Sequence, residues 1–243
     1  MTKVRGAGAV APLVVLAIAL ALGILSDSPL AAARQEDPLA PPEIGAGPVR
    51  ERSLAFVGRT VYADGSAALY GYFTAVIGLD SALLFTDASP SAETARFTYV
   101  GDVSLSSSVN RGDVTMFDGD GTMRIYFDDD AGASWDDPGS FADGEPVAEF
   151  EIRMHDTLQR QAPGVGVVVG DSRLGQSAAA ELDFDGKRFR FGQSGIEGRL
   201  RYVGALVNGG ANAQASNLVA SLTGSVAVVA REAIPVPMGG PTP

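Results

Sequence analysis

From Val147 to His155 (VAEFEIRMH) apolar and polar side chains alternate, with Phe150, Ile152 and Met154 set against Glu149, Glu151, Arg153 and His155. A period of two is that of a strand with one wet face. Arg96 to Leu105 repeats it: Phe97, Tyr99, Val103 and Leu105 lie on one side and Arg96, Thr98, Asp102 and Ser104 on the other. Leu69 to Leu79 and Leu218 to Val229 are apolar at both parities, the pattern of strands covered on two faces. Leu54 to Tyr62, Val165 to Val169 and Gly198 to Leu206 read as further strands. A helical period is confined to Ser81 to Phe85 and the alanines around Ala178.

Two Asp-Gly sites predict hairpins. In Val114 to Phe127, the run Asp118-Gly119-Asp120-Gly121 reads as a loop placing Phe117 opposite Thr122 and Met116 opposite Met123. In AELDFDGKRFRF, Ala180 to Phe191, Asp185-Gly186 suits a type I′ turn, whose two central residues need positive φ. The register follows from that turn. Phe184 faces Lys187, Asp183 faces Arg188, Leu182 faces Phe189 and Glu181 faces Arg190, so acids meet arginines on one side and apolar residues meet on the other. The basic run Lys187, Arg188 and Arg190 is then a solvated charge ladder, and Arg199 and Arg201 are left as the candidates for unpaired positive charge.

The fold class is therefore all-β, with about eight to eleven antiparallel strands closed into a barrel and a two-sheet sandwich as the alternative. Closure disposes of the exposed edges that an open sheet must protect.

The order basic (Lys3, Arg5), apolar (Gly6 to Leu25), small (Ala31 to Ala33) is that of a secretory signal peptide, so residues 1–33 are read as one. The protein is expected to be secreted or extracytoplasmic, and the alternative is an uncleaved N-terminal membrane anchor. Residues 34–52, rich in Pro, Gly and charge, read as a flexible linker. Residues 53–231 form one all-β domain, and the Pro/Gly-rich 232–243 form a tail. With no cysteine, stability must come from packing rather than from disulfides.

A net charge of −11 and a pI near 4.5 argue against nucleic acid as a partner, and no stable membrane insertion is expected after signal cleavage. Thiolate and multi-histidine metal sites are excluded by composition, His155 being the single histidine. No G-x-S-x-G elbow and no phosphate-binding glycine loop occur, and no cofactor is implied. The acidic loop from Phe127 to Glu145, with Asp128, Asp129, Asp130, Asp136 and Asp137, lacks EF-hand spacing; turn-forming aspartates explain it as well as calcium does. Arg111-Gly112-Asp113 is read as a turn. The plan resembles lipocalin-like and allene-oxide-cyclase-like barrels in architecture only, without their signature residues.

Three readings of function follow. The first is a binding module for a small, mostly apolar ligand, held by Phe73, Phe97, Tyr99 and Trp135, or for another cell-surface component. A second is a cofactor-free isomerase or cyclase using Glu149, Glu151 or Asp102, mid-strand acids whose pKa burial would raise. The third is a structural envelope protein. The lack of a catalytic constellation favours a non-enzymatic role.

Overall fold

The computed structural model describes residues 41–207 and 218–231. In chain order its strands are β1 (Glu43–Ile44), β2 (Arg52–Ala63), β3 (Ser66–Val76), β4 (Phe97–Arg111), β5 (Val114–Phe127), β6 (Glu145–Ala162), β7 (Val165–Ala179), β8 (Glu181–Phe184), β9 (Lys187–Phe191), β10 (Ile196–Val207) and β11 (Leu218–Arg231). Eight of them close into an antiparallel barrel, β2-β3-β4-β5-β6-β7-β10-β11 and back to β2. Every barrel strand is paired on both sides, so no edge is left to template aggregation.

The barrel has unlike ends. At one, two-residue turns at Asp64-Gly65, Gly112-Asp113 and Pro163-Gly164 join β2 to β3, β4 to β5 and β6 to β7. At the other, long connections cross, and a small sheet ordered β1-β9-β8 forms there. Asp185 (φ 51°) and Gly186 (φ 69°) make the expected turn, and the register of β8 and β9 is the one that the turn dictates. Leu182, Phe184, Phe189 and Phe191 are buried, and Phe97 packs against Phe127, Phe184 and Phe191 with centroids 5.0–6.0 Å apart. The small sheet is thus joined to the barrel by an aromatic cluster.

Several expectations are corrected. Asp118 to Gly121 does not turn: β5 runs straight through it, paired with β4 and β6 along its length. Neither Gly119 nor Gly121 has the positive φ that a type I′ turn requires. Their role is close approach, since a Cβ on Gly119 would lie 2.6 Å from the Ser104 carbonyl oxygen. The alanines around Ala178 end strand β7 rather than forming a helix.

Within the expected linker, Ile44 is fully buried and Glu43 accepts an ion pair from Arg231 at 2.9 Å. The Arg231 guanidinium also donates to the carbonyls of Ala46 and Gly47, so residues 41–47 are anchored to β11. The expected signal peptide, residues 1–33, and the expected C-terminal tail, residues 232–243, lie outside the described residues.

Candidate functional site

An eight-stranded barrel is wide enough either to be filled by its own side chains or to hold one small ligand. Phe56, Phe73, Tyr99, Met123 and Tyr202 meet around a crevice of about 10 Å³, room for about one water. Phe73 and Tyr99 therefore do face inward, as expected of ligand-lining residues, but against each other: their rings lie 5.4 Å apart. Phe97 belongs to the aromatic cluster under the small sheet, away from this crevice.

Toward the tight-turn end the interior turns polar. Asp156 continues the inward parity of Phe150, Ile152 and Met154 and is completely buried. Tyr202 donates to its two carboxylate oxygens at 2.5 and 2.6 Å, and the Tyr62 hydroxyl donates to Oδ2. Burial pushes the carboxyl up to about 6, outweighing the two hydroxyls that favour its charged form. Both tyrosine hydroxyls are raised well above the ordinary phenol range, first by burial and then by the Asp156 charge.

The neighbours explain how the trio is held. Tyr62 stacks on Phe117 at 4.8 Å, and the Tyr202 ring lies over Gly170, where any side chain would collide with it. Asp156 lies one position beyond the alternation of Val147 to His155, and the signal for it in the sequence is that same parity carried on two residues from Met154. Chemically the trio can store a proton, but it is sealed from solvent.

The proposed acids face outward. Glu151 and Asp102 are exposed, while Glu149 is half-buried at the surface and accepts from Arg124 Nε at 2.7 Å. None of the three meets the interior, so the substrate-facing acid of the isomerase reading is not assembled from them.

On the outer wall of β5, β6, β7 and β10, ion pairs run from strand to strand. Arg153 meets Asp120 at 3.1 Å, and His155 Nδ1 lies 2.6 Å from Asp118, whose carboxyl is held below its usual range by that bond. Arg199 and Arg201, expected to be unpaired, both reach Asp171, Arg199 Nε at 2.5 Å and Arg201 Nε at 3.6 Å. The hairpin ladder forms with one change. Arg188 takes both Asp183 and Glu181, and Arg190 turns to Glu43 at 3.9 Å because β1 lies alongside β9.

Trp135 lies on the outside of the barrel. Its loop folds onto the outer face of β3, where the ring packs on Tyr70, Tyr72 and Phe141, with the Arg59 guanidinium 4.7 Å above it. The aspartates of that loop cap turns: Asp128 accepts from the Asp130 amide and Asp137 from the Gly139 amide, while Asp129 pairs with Arg96 at 3.1 Å. Among the described residues no three acidic or histidine side chains converge as metal ligands. Compared with known proteins, the chain matches no family, no curated protein and no solved structure.

Proposed function

We propose that the protein is an exported docking module, a barrel packed solid whose outer wall engages another component of the cell surface. The observation that carries this reading is the interior. Pockets for small molecules run to about 300–1,000 Å³, and the crevice here is about 10 Å³. The same volume speaks against the isomerase or cyclase alternative, since the buried acid Asp156 has no chamber in which to meet a substrate. Export rests on the N-terminal basic, apolar and small-residue order. The ion-paired wall of β5, β6, β7 and β10 opposes lipid exposure, because charged side chains are costly in hydrocarbon.

Titration of the purified protein with 1-anilinonaphthalene-8-sulfonate and with a long-chain fatty acid tests the reading. No saturable one-to-one signal is expected from the wild type. Met123→Ala, which enlarges the crevice, should gain binding of a benzene-sized probe. Stoichiometric probe binding by the wild type, abolished when Leu222→Trp fills the crevice, would return the protein to the internal-ligand class. Trp135 fluorescence is no substitute as a reporter, because that ring sits outside the barrel.

A further inference from the structure

The stretch from Tyr202 to Ala230 contains no charged residue, in a chain of which 19% is charged. Val165 to Gly170, the start of β7, is equally free of charge. Register brings these segments together on one wall. Val203 lies opposite Val169 on β7 and Thr223 on β11, and Thr223 lies opposite Val57 on β2. Four residues along the strand, Val207 lies opposite Val219, which lies opposite Val61. Between these valine rows runs a third row, Val167, Ala205, Ser221 and Arg59, small at its centre where Ala205 faces Ser221.

Four valines of this wall are uncovered, whereas Val57, Val61 and Val219 are half-buried. Val165, Val169, Val203 and Val207 are 42–52% exposed, and they account for four of the six exposed large hydrophobics among the described residues. The one charge in these rows, Arg59, donates to the Trp135 carbonyl at 3.3 Å and lies against that ring.

Charge and shape together select the occupant. The protein carries −11, so two copies repel wherever their acidic surfaces meet, and an uncharged wall is where they approach at least cost. A two-fold axis near Ala205 and Ser221 would set the exposed valines of one copy against those of the other, the same patch on both sides, as an isologous sheet-on-sheet contact requires. We propose that this wall is the contact face of a reversible symmetric dimer of the chain, a partner assignment that rests on the outer-wall reading of function. Three rows across four strands span about 20 by about 19 Å, or about 400 Å². That is about half of what a standard stable interface buries per partner, so the dimer is weak rather than obligate.

Sedimentation equilibrium of the purified protein, from micromolar to submillimolar concentration, tests this. The weight-average mass should rise from that of one chain toward twice that value, and more readily at high salt, where acid repulsion is screened and an apolar contact is not weakened. Val203→Asp should weaken association by at least about tenfold, because a carboxylate is buried unpaired in the contact. Its melting temperature should stay that of the wild type, since the side chain is half exposed in the single chain. Arg173→Asp, on the ion-paired wall, should leave association unchanged. A chain that stays monomeric at every concentration, or a dimer that survives Val203→Asp, overturns the proposal. So does a monomer that floats with phosphatidylcholine vesicles in a Val203-dependent way, which would make the occupant a lipid surface. A monomer whose interior still refuses the apolar probes sinks the dimer alone; a monomer that binds them stoichiometrically sinks both readings.

Discussion

Replacing Asp156 with asparagine keeps the shape of the side chain and removes its titration. In the folded protein burial raises the carboxyl from the ordinary 3.8 to about 6. Between those two values the folded state holds a proton that the unfolded state has released. Stability therefore falls as pH rises through this window, from its full value below about pH 4 to its reduced value above about pH 6. A shift of about two units corresponds to about 3 kcal/mol, of which about half is lost between pH 5 and pH 8. Urea melts of wild type and Asp156→Asn across that range, at fixed ionic strength, give the difference curve. Asp118 and Asp171, held low by His155 and Arg199, act in the opposite sense at lower pH and are common to both proteins. The variant should gain on the wild type steadily as pH rises. Parallel curves, or a variant that loses ground with rising pH, would refute burial as the dominant influence on Asp156.

Three further substitutions test the packing. Phe189→Ala, which empties a buried position under the small sheet, should cost on the order of 3 kcal/mol in denaturant melts. Arg188→Ala on the exposed face of the same hairpin should cost less than about 1 kcal/mol. The reverse order would mean that the hairpin faces the other way. Gly170→Ala places a methyl group where the Tyr202 ring lies, so the ring must move off Asp156. The expected loss is about 3 kcal/mol or more, from overpacking and a broken buried hydrogen bond, together with a changed Tyr absorbance in the ultraviolet.

Local chemistry determined much of this molecule from the sequence alone. A period of two names strands without reference to anything distant, and Asp185-Gly186 sets its own register because few residues tolerate positive φ at both central positions. Phe150, Ile152 and Met154 face inward for the same local reason. What the sequence could not decide were the properties that depend on which strands become neighbours. Asp118-Gly119-Asp120-Gly121 has the composition of a turn and the conformation of a strand, because β4 passes so close that only glycine fits beneath it. Arg190 leaves Glu181 for Glu43 because β1, distant in the chain, lies beside β9. The placement of the candidate site belongs to the same class. Whether inward aromatics line a chamber or fill it depends on how much of the closed barrel's width they take up together, and here Phe56, Phe73, Tyr99, Met123 and Tyr202 leave a crevice rather than a pocket. Asp156 becomes a buried acid only when Tyr62 from β2 and Tyr202 from β10 converge on it, 94 and 46 residues away in the chain. Such meetings are set by long-range pairing, to which no local pattern of hydrophobic and polar residues carries a signal.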